Sequence, residues 1–278
     1  MIIQKRNREM LKNRIIVLLG LIALIGAVLF MTSCSETTAS EKKYSIMLSK
    51  GAEPSGGIGR ENKEPIAPEI VYEPKNYTIC VDPGHGFVDG GTGENIFENG
   101  VLEKDITIAV SKLLRTYLEE RGFEVIMTHD GINVPSADVN GNNIFNPEER
   151  AAYANSLDID YFVSIHVNSI NDTSVYGSQI YWEDSWYKVN DWSQYAAESI
   201  AQAVNEAFPE YKEMRIWGED DNKSLAVTRE TKAAASLIEI GFCTNETDRN
   251  NMIDPEWQAE FAEAVADGIN NFFTELDN

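Results

Sequence analysis

From Tyr77 onward, apolar positions recur in two rhythms that take turns along the chain, and their order predicts the fold. Thr78-Ile-Cys-Val81 is a short apolar run, predicted as a strand, that leads into Asp82-Pro-Gly-His-Gly86. Ile106, Val110, Leu113, Leu114, Tyr117 and Leu118 then share one helical face, predicting a helix over 102–120 that Gly122 stops. Phe123 to Thr128 reads as the next strand. Asn146 and Pro147 supply a cap and a first-turn residue for a second helix, with Glu149 three positions after the cap. Asp160 to Val167 is a strand of nearly continuous apolar character, Ser193 to Phe208 is helical, and Ala235 to Gly241 is again a buried strand. Asp254 and Pro255 open a last helix that carries Trp257, Phe261, Val265, Ile269 and Phe272 at near-fourfold spacing. Such alternation predicts an α/β fold, a mostly parallel twisted sheet with helices on both faces, in a single domain over 76–275.

The first 34 residues follow neither rhythm. Lys5, Arg6, Arg8, Lys12 and Arg14 precede an uncharged run from Ile15 to Met31, and Thr32-Ser33-Cys34 follows. A basic segment, an apolar segment and small residues together describe a secretory signal. The terminal cysteine resembles the lipobox of bacterial lipoproteins, in which that cysteine is acylated, although Met31 stands where the motif usually has Leu. An uncleaved signal anchor is the alternative, since the apolar run is just long enough to cross a bilayer. Full release after cleavage is a third reading; all three place the folded part outside the cytoplasm, and the first two tether it to the outer face of the cytoplasmic membrane, in the cell wall. Residues 35–75 mix Ser, Thr, Glu, Lys, Gly and Pro with little periodicity and read as a flexible linker.

Composition narrows the field of partners. The net charge of -22 argues against nucleic acid, because a duplex-binding surface needs clustered Lys and Arg. Hydrophobic residues at 43% are ample for a sizeable core. Cys80 and Cys243 lie in apolar, strand-like runs, so buried free thiols are expected, while a disulfide stays open.

Four polar residues fall at strand ends, where α/β folds build their sites. His85 follows the first strand, Glu103 opens the first helix, His166 ends Tyr161-Phe-Val-Ser-Ile-His166, and Glu239 ends Ala235-Ser-Leu-Ile-Glu239. Two imidazoles and a carboxylate suit zinc with a fourth position open. A further carboxylate that does not ligate can move a proton. Singly, each has a plainer reading: a turn histidine, an acidic residue at a helix N-terminus, a solvated strand end.

Taken as a set, "VDPGHG", "LEKDITIAV", "FVSIHVNS" and "SLIEIGFCTNETD", with "NPEERAAYAN" between them, resemble the zinc amidases of the amidase 3 type. The resemblance spans residues 77–273. It implies an N-acetylmuramoyl-L-alanine amidase, which hydrolyses the amide between the muramic acid lactyl group and L-alanine of peptidoglycan stem peptides. It also implies zinc held by His85, Glu103 and His166, with Glu239 as general base. Peptidoglycan is then the partner, with an unidentified protein activator left open.

His129 stands in "VIMTHD" where the family commonly has Arg, and is read as structural or close to the substrate. Pro209 to Ser224 is acidic and poorly periodic, a surface loop or a cover over the cleft. Tyr181, Trp182, Trp186 and Trp192 divide between a stacking surface and core packing. The same ligand set would serve an endopeptidase acting within the stem peptide. A binding lipoprotein or a structural tether without catalysis is the alternative of a different class.

Overall fold

The computed structural model describes residues 75–92, 97, 100–133, 145–183, 192–218 and 225–277. All of them fall in the compact unit Ala67–Asn278. The expectations for residues 1–74 and for Trp186 lie outside the described residues. Among the described residues no helix is long and apolar enough to cross a membrane.

Among the described residues six strands form one sheet: β1 (Thr78–Pro83), β2 (Glu124–Met127), β3 (Tyr161–Asn168), β4 (Gln179–Trp182), β5 (Arg215–Trp217) and β6 (Ala234–Phe242). Their order is β2-β1-β3-β6-β4-β5. Every neighbouring pair is parallel except β4 with β6. The helices are α1 (Glu103–Glu120), α2 (Pro147–Ala154), α3 (Ser193–Ala207), α4 (Ala226–Glu230), α5 (Glu246–Met252) and α6 (Pro255–Leu276).

Alternation along the strands divides the core in two. Ile79, Val81, Tyr161, Val163, Ile165 and Ile238 face a large apolar layer under α1, α3 and α6. Cys80, Phe162, Ala235 and Leu237 face the other way, against Ala154 of α2 and Val227 of α4. Burial on both faces is why these strands read as near-continuous apolar runs in the sequence. Cys80 and Cys243 belong to different layers and are both free and buried.

Helix ends follow the local sequence. Asn146 accepts from Glu149 N–H while Glu149 reaches back to Asn146 N–H, a reciprocal cap for α2. Asp254 caps α6 through Glu256 N–H. At the end of α1, Gly122 takes φ +88, and the N–H groups of Gly122 and Phe123 return to Glu119 O and Leu118 O. That is the glycine-terminated closure which a left-handed residue permits.

Four elements go beyond the sequence reading: β4, β5, α4 and α5. Strand β5 falls inside the acidic segment read as a loop or cover. Only three residues long, with Ile216 exposed and β4 its one partner among the described residues, it carries no periodic signal. Tyr181 is buried in the smaller layer, and Trp182 and Trp192 pack against the larger one, so core packing accounts for all three.

Helices α3 and α6 approach closely at Gly268. A Cβ there would stand 2.4 Å from Ile200 Cα, a backbone atom that cannot swing away. Helix propensity favours Gly→Ala by about 1 kcal/mol, whereas overpacking a fixed contact costs about 1–3 kcal/mol. Gly268→Ala is therefore expected to lower stability, read as an earlier urea midpoint at unchanged slope. A later midpoint would show that the two helices separate freely.

Candidate metal centre and active site

Strands β1, β3 and β6 bring their carboxyl ends to one edge of the sheet, and the chemistry gathers there. His85 lies just past β1, Glu103 is the first residue of α1, and His166 is near the end of β3. One ligand atom from each of these three lies within 4.8 Å of the others. Glu103 is the centre of the arrangement. Its Oε1 is 3.2 Å from His166 Nδ1 and its Oε2 is 3.3 Å from His85 Nε2. Backbone N–H groups of Val167 (2.8 Å) and Thr92 (2.6 Å) donate to the same two oxygens. With a side chain 1% exposed, the carboxylate is fixed, while the imidazoles are 27% and 20% exposed and leave an open side.

The electrostatics of the cluster suit a cation. Burial opposes the Glu103 charge, yet the hydrogen bonds and charges of His166 and His85 hold its carboxyl down at about 2. Burial likewise opposes charge on His85, but Glu103 and Asp89 outweigh it and raise the imidazole to about 9. A buried carboxylate that draws positive charge onto its neighbours is one that a metal ion can satisfy instead. Two imidazole nitrogens and one carboxylate oxygen, with a side left open, are a donor set that fits zinc.

The loop carrying His85 is held in an uncommon conformation. His85 and Phe87 have φ of 60° and 55°, in the left-handed region where non-glycine residues cost roughly 1–3 kcal/mol. A Cβ on Gly84 would meet the His166 ring at 2.5–2.7 Å, so only glycine lets the loop pass so near. The carbonyl groups of the loop are taken up one by one. Thr107 Oγ1 donates to Gly84 O (2.8 Å), Lys104 Nζ to Phe87 O (2.6 Å), and Arg150 to both Pro83 O (2.6 Å) and His85 O. Asp89 Oδ2 is 2.8 Å from His85 Nδ1 and so directs Nε2 toward Glu103. Orienting carboxylates of this kind are worth about 10–100-fold in metal affinity. Asp89→Asn is expected to weaken zinc binding by that factor with the fold intact, as measured by competition with a coloured chelator.

Glu239 is set beside this cluster by strand register. It pairs with His166 across β3 and β6, neighbouring strands about 4.8 Å apart, so the two side chains share a face. On its other side Glu239 pairs with Gln179, and Gln179 with Arg215, extending a polar row to the sheet edge. The turn after Glu239 is secured by Asp248, which accepts from Phe242 N–H (2.8 Å), Gly177 N–H (2.9 Å) and the Tyr211 hydroxyl.

His129 stands apart from the three clustered residues. It is buried, with Nε2 donating to Pro83 O (2.8 Å) and Nδ1 accepting from Gly131 N–H (3.2 Å), a pattern that one neutral tautomer satisfies. Burial, and then the Arg150 cation, hold its pKa below the usual imidazole range. It supports the loop from behind. Asp82, Asp89, Arg150 and Asp248 brace the segments around the candidate site, and no role was read for them from the sequence. Asp82, Arg150 and Asp248 lay inside the quoted motifs, whereas Asp89 lay outside all of them.

Comparisons with known proteins show the family. The N-acetylmuramoyl-L-alanine amidase family model matches residues 79–271. The chain is 29% identical over 196 residues to the protein YqiI of Bacillus subtilis, covering 70% of this chain and 84% of that one. It is 26% identical over 215 residues to the germination-specific N-acetylmuramoyl-L-alanine amidase of the same organism, covering 76% and 82%. Among solved structures it resembles the CwlD amidase of Clostridioides difficile in complex with the GerS lipoprotein. The TM-score is 0.61 at 25% identity, covering 72% of this chain and 100% of that one. With its mostly parallel α/β sheet and a family match over most of its length, the chain belongs to the N-acetylmuramoyl-L-alanine amidase family of enzymes.

Proposed function

We propose that the protein is a zinc-dependent N-acetylmuramoyl-L-alanine amidase that releases stem peptides from peptidoglycan outside the cytoplasm. The observation that carries this reading is the convergence of His85, Glu103 and His166 at one sheet edge, with Glu239 next to His166 in register. His85, Glu103 and His166 hold the ion. Bound there, zinc supplies a Lewis acid for the scissile carbonyl and makes water more acidic. Glu239 accepts the proton of the attacking water and returns it to the departing nitrogen of L-alanine. The products are a lactyl-ended glycan and a stem peptide with a free amino terminus.

The sequence of residues 1–75 supports a tethered enzyme, with a lipoprotein-type signal or membrane anchor over 1–34, a flexible linker over 35–75 and the catalytic domain over 76–275. The likeness to an amidase solved in complex with a lipoprotein supports a protein partner here, for which activation of the enzyme is the proposed role.

Mass analysis of purified peptidoglycan, digested with zinc and with a chelator, tests the reading. Zinc-dependent release of stem peptides beginning with L-alanine is expected. Cuts confined to bonds between amino acids would move the enzyme to the endopeptidases. Absence of both zinc and products would leave a binding protein.

A further inference from the structure

The ion pair between Arg150 and Asp82 lies directly behind the His85 loop, and it is almost fully enclosed. Asp82 is fully buried and Arg150 is 5% exposed. Asp82 Oδ1 accepts from Arg150 Nη1 (2.9 Å) and Thr128 Oγ1 (2.5 Å), and Oδ2 accepts from Ser164 Oγ (2.7 Å). Three further Arg150 donors go to main-chain carbonyls. Nη1 reaches Pro83 O (2.6 Å), Nη2 reaches His85 O, and Nε reaches Phe145 O (2.6 Å). One rigid cation from α2 thus fixes two carbonyls of the β1 exit, 65 residues away in sequence at His85.

We propose that Arg150, neutralised by Asp82, is a positioning residue for the metal centre. It holds the main chain of His85 in its left-handed conformation, so that Nε2 meets Glu103 and the ion. The inference rests on the metal-centre reading of the proposed function.

A buried ion pair is a poor device for stability, since apolar side chains of the same volume commonly do as well or better. Its yield is geometry. A guanidinium carries donors in a fixed planar fork and can bridge a carboxylate and two carbonyls at once, which the single ammonium of Lys cannot reproduce. The contacts also fall on the strained stretch. Arg150 Nη2 bonds the carbonyl of His85, whose φ is 60°, while the Pro83 carbonyl keeps a second donor in His129. Loss of the guanidinium therefore frees the ligand residue more than the strand before it.

The test measures zinc affinity on the full chain, by chelator competition, for wild type, Arg150→Lys and Arg150→Ala. Gly268→Ala serves as a destabilised control remote from the site. Arg150→Lys is expected to bind zinc about 10–100-fold more weakly while its circular dichroism stays native. Methylguanidinium is expected to restore affinity to Arg150→Ala, and Gly268→Ala to bind zinc as wild type does. Wild-type affinity in Arg150→Lys, or an equal loss in Gly268→Ala, would overturn the proposal. Should both Arg150 variants fail to fold, Ser164→Ala removes one donor to Asp82 and must weaken zinc in the same direction. Unchanged affinity in Ser164→Ala would then count against the proposal. A wild-type chain that takes up no zinc at all would instead remove the metal-centre reading itself, and this inference with it.

Discussion

Exchanging Glu239 for Gln is expected to lower kcat by about 10²–10⁴-fold, the usual contribution of a general base, while zinc content stays at the wild-type level. Gln keeps the size and hydrogen-bonding reach of the side chain but cannot accept a proton at neutral pH. The residue stands on β6, held by pairing with β3 on one side and β4 on the other, so the backbone around it should not shift. The informative comparison is between turnover and metal content. Near-normal release of stem peptides by the variant would assign proton transfer to another group. Loss of zinc together with activity would mean that Glu239 ligates the ion.

The second large effect concerns the ion. Replacing His166 by Ala removes one of the three donors and leaves the buried Glu103 carboxylate with a single imidazole partner, His85. Zinc is then expected to fall below one equivalent and peptidoglycan hydrolysis to become undetectable. Ligand linkage supplies a separate readout. Zinc at a thousand times its dissociation constant stabilises the wild-type fold by about 4 kcal/mol, and that increment should vanish in the variant. Thermal unfolding with and without added zinc measures it. If His166→Ala still gained stability on adding zinc, the ion would sit elsewhere.

Gly268→Ala, Asp89→Asn and Arg150→Lys probe three different distances from this chemistry. The first acts on the seam between α3 and α6, the second on the orientation of one ligand ring, the third on the main chain that carries it. If all three lowered zinc affinity equally, the site would be responding to general loosening. Graded responses, none for Gly268→Ala and clear ones for the other two, would locate the support in the loop after β1.

What the sequence determined by itself was whatever local chemistry repeats. Helices α1 and α6 were legible because apolar residues recur every three to four positions between a cap and a stop, and β1, β3 and β6 because burial on both faces forces apolar runs. His85, Glu103, His166 and Glu239 were legible as polar residues at the ends of those elements, and their grouping came from resemblance. The tertiary structure decided the rest. Strands β4 and β5 exist only as partners of a neighbouring edge, and a strand of three residues is too short to show a period. Register placed Glu239 opposite His166, which no count of residues along the chain reveals, since 73 positions separate them. The same holds for Asp82, Arg150 and Asp248, whose charges look solvated in sequence. Only the folded chain shows them buried, each satisfied by donors or acceptors from distant segments, because the stability of a buried charge depends on what surrounds it in space.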